Sequence, residues 1–296
     1  MPGNTVYWNI AGGLFYPELF NLAHLLNLMN RVASEQKVQM FVYDSHQGMS
    51  WNGGRVIHRC NSSTKEDALQ IVHKWNALGI GFYFVFSNHL IENRHLGDAR
   101  CNYFLEHAHN PMNGVVCSSD VLCDYVKEKF PQYTVKCSVM KPYLEGKNSW
   151  KDLDYHRNLL GRYDIVVLSP RMNLDFDFIS QLPTDRIELL VNEVCLKDCA
   201  FTKKHYQALN FANMTGDWDA IEATYFFCGK QHGGGRQLPN PPQMELNLDH
   251  IRALQSLGVS RFKLQGRTDS FNSGLRQSIQ KFIVNPHLPE GVNLIY

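Results

Sequence analysis

Several features are scarce in this chain, and each scarcity narrows its reading. No apolar run reaches the roughly twenty residues needed to cross a bilayer, so no membrane span is expected. The N-terminal Met1-Pro2-Gly3-Asn4-Thr5 lacks the charged segment and apolar core of a secretory signal, so a cytoplasmic chain is expected. A surplus of one charge is missing too. The formal net charge is +1 over 296 residues, and whole-chain charge does not select nucleic acid as a partner. There is no G-x-S-x-G elbow and no P-loop, and no G-x-G-x-x-G follows the first apolar segment. The C-x2-C pair of a zinc knuckle is missing as well. Neither a low-complexity stretch nor a linker interrupts the chain, so residues 1–296 are expected to form a single domain.

What is present is the composition of an ordinary globular protein, 44% hydrophobic and 19% charged. The 8 cysteines of a cytoplasmic chain point to thiols or metal ligands rather than a disulfide framework.

Apolar, β-rich segments alternate with helical periodicity. Strands are expected at residues 6–10, 38–43, 80–86, 114–117, 134–139, 164–168, 186–191 and 261–264. Helices are expected at 17–35, 64–78, 98–109, 121–130, 150–160, 175–182, 248–257 and 273–283, with Gly79 and Gly258 as stops. Thr64 to Asp67 matches a capping box loosely, with Asp in place of Glu or Gln. Strand–helix alternation requires a parallel sheet with right-handed crossovers, and eight units are the count of a (β/α)8 TIM-like barrel. The competing arrangement is an open doubly wound sheet. A long cysteine- and glycine-bearing excursion separates strand 7 from the helix at residue 248.

In such a barrel the strand C-termini converge on one face, which carries the chemistry. The strand ends supply Asp44 and His46, Asn88 and His89, Ser119 and Asp120, Lys141, Arg171, Asn192 and Glu193 with Cys195, then Gln265 and Arg267. Lys141, Arg171 and Arg267 would make a cationic rim for a carboxylate or phosphate, because arginine can bind either in bidentate fashion. The plainer alternative is that each pairs with a neighbouring acid.

The cysteines divide by context. Cys101, Cys123 and Cys137 fall within helix or strand patterns and are expected in the core. Cys195 and Cys199 are expected in a loop, and Cys228 follows in the same excursion, ahead of His232 and Gly233-Gly234-Gly235. Loop cysteines beside glycines are the composition of a metal or cluster site. Cys60, in the second βα loop, is a candidate fourth ligand, with Cys117, His205 and His232 as alternatives. Lys203, Lys204, Lys230 and Arg236 form a modest basic patch beside these cysteines. RNA is therefore a candidate partner, although such a patch is also an ordinary solvated loop.

Two segments resemble the U32 peptidase-like family. One is Leu190-Val191-Asn192-Glu193-Val194-Cys195-Leu196-Lys197-Asp198-Cys199 with His205-Tyr206 after it. The other is residues 249–258 followed by Phe262-Lys263-Leu264-Gln265-Gly266-Arg267. The resemblance covers roughly the C-terminal third. It implies a barrel in which cysteines hold an iron–sulfur (4Fe-4S) cluster, serving hydroxylation-type chemistry on a nucleobase or small aromatic acceptor with an anionic cosubstrate. Cys195, Cys199 and Cys228 then look like cluster ligands, and Arg267 like the family's arginine after the last strand. The cysteine spacing departs from the family pattern, and no fourth cysteine is evident.

Three functions follow as expectations. An iron–sulfur barrel enzyme would use Lys141, Arg171 and Arg267 to hold an anion, with Asp120, Glu193 or a histidine handling protons and Asn192 beside them. A zinc-bound barrel would use the same cysteines with His205 or His232. A non-catalytic accessory or assembly subunit would leave the cysteines without a task.

Overall fold

A computed structural model of the chain describes residues 5–32, 36–54, 63–146, 149–196, 199–219, 221, 243–266 and 274–287. The strands are β1 (Thr5–Ala11), β2 (Lys37–Asp44), β3 (Gly81–Phe86), β4 (Gly114–Cys117), β5 (Thr134–Cys137), β6 (Ile165–Leu168), β7 (Ile187–Leu190), β8 (Asn192–Leu196), β9 (Gln243–Glu245) and β10 (Arg261–Leu264). Between them run the helices α1 (Glu18–Val32), α2 (Lys65–Ala77), α3 (Ala99–His107), α4 (Asp120–Lys129), α5 (Lys141–Glu145), α6 (Leu153–Arg162), α7 (Phe176–Ser180), α8 (Thr202–Thr215), α9 (Leu248–Ser256) and α10 (Arg276–Ile279). Eight strands close into a barrel in the order β1-β10-β7-β6-β5-β4-β3-β2. Every pairing around it is parallel. This is the (β/α)8 barrel expected from the alternation.

The strands separate two environments by their period of two. Trp8 and Ile10, Val42, Phe82, Phe84 and Phe86, Val115, Val135, Val166, Leu189 and Phe262 belong to the apolar layer shared with the helices. Phe20 of α1 stacks on Trp75 of α2 with ring centroids 3.8 Å apart, tying neighbouring helices over that layer. The alternate residues belong to a different core. Ala11, Tyr43, Tyr83 and Val116 pack with Phe41 and Val85 in a small inner cluster. Beside them lie the fully buried Lys136 and Glu188, whose side chains form an ion pair. Asn9 Nδ2 donates to Glu188 Oε1 at 3.4 Å. Lys136 Nζ sits 4.0 Å from the Tyr83 ring centroid, and Lys263 Nζ sits 4.1 Å from that of Tyr43. Burial alone would raise the Glu188 pKa, but Lys136 and Lys263 together hold it below the ordinary carboxylate value. Burial in turn lowers the Lys136 pKa, and Glu188 opposes that shift.

Helix ends follow local chemistry. Thr64 accepts from the Asp67 N–H at 3.1 Å, and Asp67 accepts from the Thr64 N–H at 3.2 Å, so the loosely matched capping box is formed. Gly79 and Gly258 have φ of +75° and +93°, the left-handed C′ conformation of a helix stop. The closing helix passes into a π-helical turn at Gln280–Val284.

Three sequence readings are corrected. Asn192, Glu193 and Cys195 are neither the tip of strand 7 nor a loop. They form β8, which pairs antiparallel with β9 in a separate two-stranded sheet with an irregular register between Glu193 and Leu196. Asn192 and Glu193 at the start of β8 are buried, and Cys195 is partly buried. Thr202–Thr215, read only as a Lys/His-bearing segment, is a helix of 14 residues. Strand 5 stops at Cys137 rather than residue 139, because Ser138 Oγ accepts from the Met140 N–H and turns the chain into α5.

A charge left alone in the barrel interior should be costly. Glu188→Ala strands Lys136, and we expect a loss of about 3–5 kcal/mol in chemical denaturation. Lys136→Met combined with Glu188→Gln should recover most of it. Equal losses in the single and double variants would show that packing, not the pair, matters there.

Candidate functional site

The C-terminal mouth of the barrel is unusually rich in buried polar groups. A serine directly follows five successive strands, β2 to β6: Ser45, Ser87, Ser118, Ser138 and Ser169, and all five are buried. The inner residues Tyr43, Val85, Val116, Lys136 and Val167 stand two positions earlier, so the pleat carries each serine onto the same inner face. Three hydroxyls are engaged. Ser45 Oγ donates to the Val85 carbonyl at 2.7 Å. Ser138 Oγ accepts from Met140, and Ser169 Oγ accepts from the Arg171 N–H at 3.3 Å while also bonding to the Tyr143 hydroxyl. Ser87 Oγ and Ser118 Oγ have no partner.

Two segments meet over this mouth. Asn88 Nδ2 donates to the carbonyls of Ser50, Asn52 and Asn210. Asn52 Nδ2 donates to Asn213 Oδ1 at 2.9 Å. These bonds fasten the second βα loop to α8. Gly53 lies so close that an added Cβ would fall 2.3 Å from Asn210 Oδ1 and 2.6 Å from the Ser87 carbonyl, and only glycine fits there.

The expected cationic rim is divided. Lys141 is buried and saturated: its Nζ donates to the Ser118 carbonyl at 3.2 Å, lies 3.1 Å from Asp120 Oδ1 and is bonded to Glu145. Burial lowers its pKa, but Glu145 and Asp120 reverse this and leave the value above ordinary. Asp120 also accepts from the Tyr163 hydroxyl at 2.9 Å and faces Arg162. Of the two readings of Lys141, the geometry is that of acid pairing. Arg171 is different. Its guanidinium carbon lies 5.2 Å from the ring centroids of both Tyr143 and Trp150, and its buried Nε has no partner. Stacked rings leave the edge of a guanidinium open to an oxyanion. Arg267 lies outside the described residues.

Tyr143 was not singled out from the sequence, yet it stands among the candidates. Burial pushes its hydroxyl pKa up to about 12; Ser169 and Arg171 oppose the rise, while Glu193 and Cys195 add to it. Glu193 is buried, and its Oε1 accepts from the Cys195 N–H at 2.8 Å and from Gln265 Nε2 at 3.0 Å. Asn192 clamps the last strand: its Nδ2 donates to the Gln265 carbonyl at 2.9 Å, and its Oδ1 accepts from the Gln265 N–H at 2.8 Å. Both residues thus shape the irregular strand that presents Cys195. An irregular register re-aims side chains in this way.

The cysteines separate as their contexts suggest. Cys101, Cys117, Cys123 and Cys137 are buried, and burial raises all four thiol pKa values, that of Cys123 to about 12. Cys117 therefore lies in the apolar layer, away from any ligand role. Cys195 and Cys199 are only partly buried. Cys60, Cys228 and His232 lie outside the described residues, as do Lys230, Arg236 and the three glycines at 233–235. Among the described residues no group of three His, Cys, Asp or Glu is arranged to hold a metal ion. No described helix is long and apolar enough to cross a membrane.

His89 and Asn173 complete the mouth. His89 Nδ1 and Asn173 Oδ1 are buried without partners. Serine spacing relative to the strand ends was the sequence signal that could have revealed this collar.

No family model matches the sequence, and no curated protein does. Among solved structures, the U32 peptidase Mk0906 is similar, with a TM-score of 0.52 at 14% identity over 90% of this chain and 94% of that one. At that identity the likeness shows a shared barrel fold.

Three imidazoles have pKa values below the ordinary 6.5: His46, His89 and His156, in each case chiefly through burial. The unfolded chain therefore takes up protons first as pH falls, so stability is full above the ordinary value and declines below it. The melting temperature should be flat near about pH 7.5 and drop towards about pH 5.5, with a shallower drop in His156→Gln. An identical profile in the two proteins would contradict this assignment.

Proposed function

We propose that this chain is a U32-like barrel enzyme that carries an iron–sulfur cluster over the barrel mouth. We further propose that it acts there oxidatively, in hydroxylation-type chemistry, on a nucleobase or small aromatic acceptor with an anionic cosubstrate. The observation that carries the proposal is the partition of the cysteines. Four described thiols are sealed in the core, whereas Cys195 and Cys199 are partly exposed beside Tyr143, Glu193 and α8. Soft thiolates are the donors such a cluster takes. Cys228 and Cys60 would complete a set of four. The segment holding Cys228 returns to the barrel through β9, whose Gln243 pairs with Leu196 next to Cys195. The segment holding Cys60 leaves at Gly54 and returns at Ser63, whose carbonyl is 3.0 Å from His46 Nε2.

A bound cluster supplies one-electron redox chemistry. The chain's own residues do the rest. Arg171, held between two rings, binds the anionic group of a cosubstrate through its open edge. Tyr143, protonated at neutral pH, offers a hydrogen bond beside it. Lys141 and Asp120 brace the mouth by neutralising each other and Glu145. Of the proton carriers considered, Asp120 and Glu193 already hold partners. His89, whose pKa is lowered by burial and whose buried Nδ1 has no partner, is the group we assign to carry a proton.

The test is the visible spectrum with iron, sulfide and zinc analysis on protein purified without oxygen. Brown protein with iron and sulfide, lost in Cys195→Ser and Cys199→Ser, is expected. Colourless protein with one tightly held zinc would replace the cluster by zinc on the same thiolates. No metal, with function unchanged in Cys195→Ser, would reduce the chain to an accessory barrel.

A further inference from the structure

We infer that the mouth contains a second, electrically neutral subsite between the ends of β3 and β4, built to hold a hydroxyl-bearing ring such as a sugar. The inference deepens the proposed function by naming part of its substrate. It rests on the mouth being a ligand site and not on the cluster.

Three groups without partners among the described residues follow the ends of β3 and β4. Ser87 Oγ and Ser118 Oγ are buried without a hydrogen bond, and so is His89 Nδ1. Phe86 pairs with Cys117 in register, so the serines that follow stand side by side on neighbouring strands, roughly 4.8 Å apart. Burying a hydroxyl without a partner is unfavourable, and such groups in native proteins are commonly matched by water or a ligand. Gly54 comes close to Ser87: a Cβ there would stand 3.3 Å from Ser87 Oγ and 3.7 Å from Met140 Sδ.

The chemistry of the ligand follows from charge. Lys141 donates to the Ser118 carbonyl and is already matched by Asp120 and Glu145. His89 is neutral, since burial lowers its pKa below 6.5; Lys203 and Lys141 act in the same direction, while Asn210 and Glu145 oppose it. The open groups are two hydroxyls, each able to donate and accept, and one neutral imidazole. They suit a neutral group that also donates and accepts at neighbouring atoms, as adjacent sugar hydroxyls do. The place for an oxyanion is Arg171, on the far side of Ser138 and Ser169, where the buried Nε has no partner.

The experiment is ligand-observed saturation-transfer NMR with ribose, uracil and inorganic phosphate as separate probes, on the full chain and on Ser87→Ala, Ser118→Ala and Gly54→Ala. Ribose should receive saturation, and each substitution should weaken its binding about tenfold or more. Thermal melting of the same proteins without ligand provides the control for folding. Removal of an unsatisfied hydroxyl should raise the midpoint in Ser87→Ala and Ser118→Ala, whereas Ser169→Ala, which loses real partners, should lower it. Lower midpoints in Ser87→Ala and Ser118→Ala would mean their hydroxyls are satisfied, and would overturn the inference. So would ribose binding that ignores all three substitutions, or a serine-dependent signal from uracil or phosphate in place of ribose. Loss of cluster colour with ribose binding intact would sink the proposed redox chemistry and leave the subsite standing.

Discussion

The ion pair between Lys136 and Glu188 is the constraint around which the barrel is arranged. Both side chains are fully buried, and neither can be left alone there at small cost. Their presence requires the interior to supply polar company. Asn9 donates to Glu188, Lys263 adds a second positive charge, and the rings of Tyr83 and Tyr43 face the two ammonium groups. The opposite faces of the same strands carry Trp8, Phe82, Phe84, Phe86 and Phe262, packed under the helices. Stability of the usual hydrophobic kind therefore resides in the outer layer. The inner column combines this ion pair with the small cluster around Tyr43, Tyr83 and Val116, and the serine collar stands at its upper end.

That division also explains the fate of the cysteines. A thiol on the outer face of a strand is buried in the apolar layer, as Cys117 and Cys137 are, and burial raises its pKa. The excursion after β7 escapes this environment. It departs through β8 and returns through β9, so its base is fixed. Glu193 spends its carboxylate on the Cys195 N–H and on Gln265, and Gln265 is itself held by Asn192. One chain of hydrogen bonds thus links the end of the last barrel strand to the backbone that carries Cys195. Polar residues at strand ends that look catalytic in a sequence can be the framework for a neighbour.

Much of the barrel was legible because buried parallel strands are short apolar runs. The runs at 114–117 and 261–264 match β4 and β10 residue for residue. The helix stops at Gly79 and Gly258 were legible for the same local reason, since a left-handed turn favours glycine. Long-range partners were not legible. The strand read at 186–191 ends at Leu190, and the residues after it, read as a strand end and a loop, form a second strand, because pairing with Gln243–Glu245 is decided by residues some fifty positions away. Lys141 and Arg171 look equivalent at their strand ends. Only the fold shows that α5 brings Glu145 to Lys141, whereas Arg171 receives two aromatic rings. The serine collar was visible as a repeated letter, but its meaning needed the register that lines up Ser87 with Ser118.

The placement of unsatisfied groups is the last step. Seven buried side-chain atoms among the described residues lack a partner. Asn9 belongs to the interior column and His156 to the helix layer; the others, on Ser87, His89, Ser118, Arg171 and Asn173, follow the ends of β3, β4 and β6. Random imperfections of packing would not collect on one face of a barrel. Five of the seven stand at the mouth, and each is less favourable than an apolar replacement unless something meets it there. Their chemistry also has a direction, from the neutral hydroxyls of β3 and β4 to the guanidinium after β6. A molecule that met all of them would be neutral and hydroxylated at one end and anionic at the other, and it would lie across the barrel axis with its middle near Ser138 and Tyr143.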